Sequence, residues 1–240
     1  MKILGIETST EYCSVALWQN GAVSERCELV GQKHSELLLG MLDGLLQDAG
    51  LRVQDLDGIG FGKGPGSFTG VRIACGSAQG LAFGAGLNVV GVCTLQALAQ
   101  ASGHHKVIAA LDARMGEIYL AAYEKINGAW VTIVEPCLCK AEDAPPVTGA
   151  DWFGAGSGFA VSEAALAARY AGQLIGMDAG AVPQAGAVAQ IAADEFAQGN
   201  AVDAALALPL YLRDKVALKT SEREAERALA PRLQAGAGLR

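Results

Sequence analysis

Lys2-Ile-Leu-Gly-Ile-Glu-Thr-Ser-Thr-Glu-Tyr-Cys-Ser-Val-Ala-Leu-Trp18 opens the chain with an apolar strand to Ile6, a polar turn from Glu7 to Glu11 and a second strand from Tyr12. This is the pattern of a β-hairpin. The plan returns after Lys106: Val107-Ile-Ala-Ala-Leu111, then Asp112-Ala-Arg-Met-Gly116, then Glu117-Ile-Tyr-Leu-Ala-Ala-Tyr123. Each hairpin carries an acidic residue at the end of its first strand. A chain of 240 residues can hold one large domain or two modest ones, so two lobes of like plan are expected.

Further strands and helices follow each hairpin. In the first half, residues 35–49 read as helix, 56–62 as strand, 67–83 as helix and 89–92 as strand, with a new helix after it. In the second half the expected order is a strand at 130–134, a loop at Pro145-Pro146, a short strand at Trp152-Phe153, and helices at 162–170 and 187–198. Strands alternating with helices indicate an α/β class. The expected lobes are residues 1–103 and 104–204, joined by a linker near 101–105. A closing segment near 205–218 is expected to pack back on the first lobe, followed by a charged tail at 219–240.

Hydrophobic residues make up 51% of the chain and charged residues 18%, so it can bury a core and is not disordered by composition. The net charge of −7 and a pI near 5.0 argue against a protein that grips nucleic acid by itself. The one basic stretch is residues 213–240, with seven Lys/Arg against four Asp/Glu. Six cysteines at 13, 27, 75, 93, 137 and 139 include no CxxC pair and read as reduced thiols. Residues 73–103 contain no charged side chain, but Gln79, Asn88, Gln96 and Gln100 and the glycines at 84 and 86 divide them into shorter elements. No membrane span and no secretory leader is read, and the expected location is the cytoplasm.

Two helices carry more than one core requires. Leu37, Leu38, Leu39, Met41, Leu42, Leu45 and Leu46 exceed a single apolar stripe. Gly40 and Gly44 lie within the same helix, and Gly76, Gly80 and Gly84 recur at four-residue spacing in the next. Each glycine inside a helix costs about 1 kcal/mol relative to alanine. A bare helix face admits a close neighbour, either within the subunit or in another chain.

The candidate chemical motifs are incomplete. Gly62-Lys-Gly-Pro-Gly-Ser-Phe-Thr-Gly70 leads from strand to helix and could cradle an anion, or serve as a turn capped by Ser67 or Thr69. It lacks the GK[ST] ending of a nucleotide-binding P-loop. His34, His104 and His105 have no metal-binding spacing, and no Gly-x-Ser-x-Gly elbow occurs.

The turns at Glu7 to Thr10 and Asp112 to Gly116 resemble the phosphate-facing hairpins of the sugar kinase, actin and heat-shock ATPase superfamily. Both are degenerate, with Glu7 in place of the usual Asp and Thr8 at the glycine position. Gly154-Ala-Gly-Ser-Gly158 stands where that superfamily has adenosine-binding glycines. More specifically, Ile3-Leu-Gly-Ile-Glu-Thr-Ser-Thr10, Gly64-Pro-Gly-Ser-Phe-Thr-Gly-Val-Arg-Ile73, Asp112-Ala-Arg-Met-Gly-Glu-Ile-Tyr119 and Leu210-Tyr-Leu-Arg213 together resemble the TsaB (YeaZ) family. The resemblance implies a duplicated actin-like, sugar-kinase-like (ribonuclease H-like) fold and a non-catalytic subunit of tRNA threonylcarbamoyladenosine synthesis. TsaD, the similar catalytic subunit, binds metal through an HxxxH motif whose positions match Thr94 and Leu98, neither an imidazole, so no metal, catalytic residue or cofactor is expected here. ATP or ADP would sit only at a composite interface with partners.

The same resemblance implies pairing with TsaD through the first two helices, recruitment of the ATPase TsaE, a homodimer when TsaD is absent, and only indirect contact with tRNA. It places the interface at His34, Leu37, Leu38, Met41, Leu42, Leu45, Val71, Gly76, Gly80 and Phe83. The alternatives are an active small-molecule kinase, disfavoured by the degenerate turns, and a metallopeptidase, disfavoured by the missing ligands.

Overall fold

The computed structural model describes residues 1–213. The charged tail expected at 219–240, and the end of the closing segment, lie outside the described residues. The first lobe runs β1 (Lys2–Glu7), β2 (Tyr12–Gln19), β3 (Ala22–Leu29), α1 (His34–Asp48), β4 (Gly58–Gly64), α2 (Phe68–Ala85), β5 (Asn88–Cys93) and α3 (Thr94–Ala101). The second runs β6 (Lys106–Arg114), β7 (Glu117–Ile126), β8 (Ala129–Cys139), β9 (Trp152–Ala155), α4 (Gly158–Val161), α5 (Glu163–Arg169), β10 (Leu174–Asp178) and α6 (Ala185–Ala197). A two-residue strand, β11 (Val202–Asp203), then adds to the free edge of β5.

Strand order reveals the duplication. The first sheet is β11-β5-β4-β1-β2-β3 and the second β10-β9-β6-β7-β8. In both, a three-stranded antiparallel meander is extended by two parallel strands on the side of its first strand. The crossover from β4 to β5 is made by α2 and that from β9 to β10 by α4 with α5, while β1 reaches β4 by way of α1.

The last helix of each repeat crosses to the other lobe. α3 packs on β6 and β7 of the second sheet, while α6 packs on β1, β2 and β4 of the first. α6, which falls within the second expected lobe at 104–204, thus packs on the first sheet. Small residues explain why. A Cβ on Gly5 would stand 2.9 Å from the Ala189 methyl, and one on Gly60 would stand 2.5 Å from the Ala192 methyl. Glycine on the strands and alanine on the helix thus bring the two backbones into close contact. The α6 start is fixed by the first lobe too: Ala185 N–H donates to Ser14 Oγ and Gly186 N–H to Glu25 Oε1, both at 2.9 Å.

α1 and α2 cover the opposite face of the first sheet. Their shared core holds Leu4, Ile6, Val15, Leu38, Met41, Leu42, Leu45, Ala74, Ala78 and Ala82. Among the described residues no helix is long and apolar enough to cross a membrane.

Candidate functional site

Two regions could carry function: the cleft between the lobes and the outer face of α1 and α2. The cleft encloses about 680 Å³ between the turn after β1, the start of α2, the β6–β7 turn and residues 210–213. It holds the motifs that suggested anion binding, but packing uses up their glycines. A Cβ on Gly62 would collide with Glu7 Oε2, one on Gly66 would lie 2.6 Å from Ser9 Cβ, and one on Gly70 would strike the Thr8 carbonyl. The Thr8 hydroxyl donates to Gly70 O at 2.7 Å, and Ser67 N–H donates to Ser9 O at 2.8 Å. The glycine-rich loop therefore lies directly on the β1–β2 turn, and Ser67 caps α2 by accepting from Gly70 N–H.

The second glycine cluster is filled in the same way. Side chains at Gly156 or Gly158 would run into Ala110, and one at Gly154 would meet the Phe159 ring at 2.6 Å. Ser157 Oγ accepts from Asp112 N–H at 3.0 Å. Asp112 is further engaged with Arg114, 3.0 Å away, and Arg114 reaches Glu11 of the first lobe at 3.5 Å. The charges lining the cleft thus pair with one another.

Thr94 and Leu98 are fully buried. Thr94 Oγ1 accepts from Gly64 N–H at 3.1 Å, and Leu98 sits in the core between α3 and the second sheet. These positions do not fit a metal, because the hydroxyl is occupied and the leucine offers no donor. Among the described residues no group of three or more His, Cys, Asp or Glu side chains converges as a metal site.

On the outer helices the ten expected interface residues separate into two sets. His34, Leu38, Met41, Leu42, Leu45 and Val71 are buried inside the subunit. They are core residues, and His34 donates its Nε2–H to Tyr12 O at 3.1 Å. The apolar stripe of α1 was wide because it fills its own lobe. Leu37, Gly76, Gly80 and Phe83 remain outside, with Phe83 85% exposed. Leu39 and Phe68, absent from the expected set, are exposed beside them.

The glycines sort likewise. Gly44 has an internal reason, since a side chain there would strike the Arg26 guanidinium, which is held 2.6 Å from Asp48. At Gly40, Gly76, Gly80 and Gly84 a Cβ would meet nothing within 4 Å. The stripe on α2 is bare backbone facing outward, bounded by Phe68 and Arg72 at one end and Phe83 at the other.

The two-lobe α/β architecture agrees with the comparisons. A family model described as "TsaD: tRNA N6-adenosine threonylcarbamoyltransferase" matches residues 26–220. The chain is 39% identical over 232 residues to the tRNA threonylcarbamoyladenosine biosynthesis protein TsaB of Escherichia coli strain K12, covering 91% of this chain and 97% of that one. It is 37% identical to the Haemophilus influenzae protein of the same name, over 91% and 96% of the two chains. Among solved structures, YeaZ from Pseudomonas aeruginosa superposes with a TM-score of 0.81 at 39% identity, covering 88% of this chain and 99% of that one. The crystal structure of an uncharacterized protein with similarity to peptidase YEAZ, also from Pseudomonas aeruginosa, gives 0.82 at 38% over the same shares. The chain belongs to the TsaB (YeaZ) family.

Proposed function

We propose that this chain takes part in making threonylcarbamoyladenosine in tRNA as a non-catalytic scaffold. In this reading it pairs in the cytoplasm with TsaD through the exposed faces of α1 and α2, and the ATPase TsaE joins the pair. The names of its relatives supply the pathway. The observation that carries the docking surface is the outward glycine stripe of α2, where a Cβ on Gly76, Gly80 or Gly84 would meet nothing within 4 Å. Glycine there weakens the helix, and what it allows is the approach of a second helix to backbone distance.

The scaffold role is supported by the cleft, whose glycines are packed against neighbouring turns and whose charges are paired within the chain. ATP or ADP is assigned to a composite interface with partners, and no cofactor to this chain alone. The net charge of −7 favours tRNA contact through the partner. The same face serves a homodimer when TsaD is absent.

The test is reconstitution of the modification with TsaD, TsaE, the adenylate-forming enzyme and tRNA. Gly80→Leu and Phe83→Asp are expected to keep the native circular dichroism spectrum, lose TsaD binding and lose modification. Folded variants that bind TsaD and support full modification would remove the docking assignment. Modification by this chain without TsaD would remove the non-catalytic one.

A further inference from the structure

Residues 207–213 form a strap that touches both lobes. Along the first lobe, Ala207 O accepts from Gln79 Nε2 at 3.0 Å and Leu210 N–H donates to Lys63 O at 2.6 Å. The Tyr211 ring then stands 6.0 Å from that of Phe68, the first residue of α2. The Arg72 guanidinium lies 3.2 Å from the centre of the Phe68 ring and 5.0 Å from that of Tyr211. Two residues later the strap reaches the second lobe. Arg213 Nη2 lies 2.8 Å from Glu117 Oε2 and donates to Ala113 O at 3.0 Å and Arg114 O at 3.5 Å.

The turn that Arg213 grips is conformationally costly. Arg114 and Met115 have φ of 63° and 59°, followed by Gly116 at 74°. Left-handed backbone is unfavourable for side chains of this size and persists where surroundings hold it. Here three bonds to the Arg213 side chain do so, on a residue whose side chain is only 17% exposed. The same turn sends Arg114 across to Glu11, so the lobes are fastened twice at the mouth of the cleft. On the far side Gln100 of α3 fastens them again, donating to Gln190 of α6 at 2.7 Å and accepting from Trp130 of β8 at 2.7 Å.

We infer that Tyr211 and Arg213 are positioning residues: the strap they anchor latches the second lobe to the start of α2 and presents the Phe68–Arg72 end of the docking face. The inference rests on the docking role proposed for α2. Tyr211 touches α2 directly, whereas every contact of Arg213 named above is to the second lobe. A change at Arg213 therefore reaches α2 through the strap or through the Arg114–Glu11 pair to the β1–β2 turn, whereas a change at Tyr211 acts on the strap alone, and by reciprocity a partner bound on α2 tightens the latch. The motifs at 112–119 and 210–213 gain a common purpose.

The experiment uses the full chain with purified TsaD. Amide hydrogen exchange is measured on the free Arg213→Ala, Tyr211→Ala and Tyr211→Phe variants, and TsaD affinity by calorimetry well below the melting temperature, with Phe83→Asp as a control. Arg213→Ala is expected to speed exchange in residues 68–75 as well as 112–117, to leave α1 unchanged and to weaken TsaD binding about tenfold, or 1.4 kcal/mol. Tyr211→Ala should do the same, and Tyr211→Phe should restore both readouts. Faster exchange confined to 112–117 overturns the latch. Unchanged TsaD affinity in Arg213→Ala, where Phe83→Asp abolishes binding, also overturns it. Should Phe83→Asp bind normally, the docking assignment fails instead, and the exchange of α2 in Arg213→Ala decides the latch by itself.

Discussion

Glu7 Oε2 occupies the space that a side chain on Gly62 would fill, and among the described residues it finds no hydrogen-bond partner. The other carboxylate oxygen accepts from Ser9 N–H. With 1% of its surface exposed, Glu7 is desolvated, and burial pushes its pKa up despite the opposing bonds from Ser9 and Thr8. A group whose folded pKa is raised stabilises the fold fully below its unfolded value, and that contribution is lost as pH rises through the folded value. Glu7→Gln stays neutral throughout. It is expected to unfold at higher denaturant than the parent at pH 8, with the gap closing towards pH 4. Equal gaps at both pH values would show that ionisation of Glu7 is not the cause.

Gly76 and Gly80 should respond in the opposite sense to ordinary packed glycines. Each lies inside an 18-residue helix and faces open space. Alanine there relieves backbone entropy without a clash, so each replacement is expected to stabilise the isolated chain by about 1 kcal/mol. Gly70→Ala, where the new methyl would strike the Thr8 carbonyl, should destabilise it instead. Thermal melts of the three variants give the comparison. A loss of stability in Gly76→Ala would mean that the outer face of α2 is already occupied.

The hairpins of β1–β2 and β6–β7 were legible because each is an apolar pair of strands around a polar turn. β3 was not. Its Ala-Val-Ser-Glu-Arg-Cys-Glu-Leu sequence is mostly exposed on the sheet edge and lacks the apolar signal of a buried strand. β10, a short edge strand rich in partly exposed residues, escaped for the same reason. The ends of the helices were legible to within two or three residues, though the helix expected at 162–170 begins earlier as α4 and breaks at Ser162. Which apolar residues of α1 face outward could not be read from spacing, because the width of the core depends on how α1 and α2 share one sheet face. The reason for Gly44 was equally hidden, since Arg26 comes from β3.

Cys137 and Cys139 lie two residues apart on β8 and share one side of the strand. Cys137 Sγ lies 3.5 Å from Leu120 O; the neighbouring Cys139 thiol brings the Cys137 pKa down to about 7, while that of Cys139 is raised by the same neighbour and by burial. Because the thiolate is the reactive form, iodoacetamide at pH 7 should label Cys137 ahead of the more exposed Cys27, whose thiol is pushed up by partial desolvation and by Glu25 and Glu28. Cys139→Ala should move the labelling midpoint of Cys137 upward. Peptide mass spectrometry across a pH series reads both effects, and a midpoint unchanged by Cys139→Ala would rule out the Cys139 thiol as the cause.

The exposed helix face leads to a last expectation, concerning the chain on its own. Leu37 and Leu39 on α1 and Phe83 on α2 are 37%, 56% and 85% exposed, while the glycine stripe beside them leaves room for a second backbone. Two copies meeting face to face would cover the leucines and phenylalanine and bring glycine against helix in both directions, the self-complementary arrangement of a two-fold dimer. The purified chain is therefore expected to approach twice the monomer mass in light scattering as concentration rises. Phe83→Asp should hold it at monomer mass, because a carboxylate without a partner in an apolar seam costs several kcal/mol. Leu38→Asp should not yield a folded monomer at all, since Leu38 is 1% exposed and belongs to the core of the first lobe. Monomer alone at high concentration would show that this face does not serve self-association. A dimer that survives Phe83→Asp would place the contact elsewhere on the molecule.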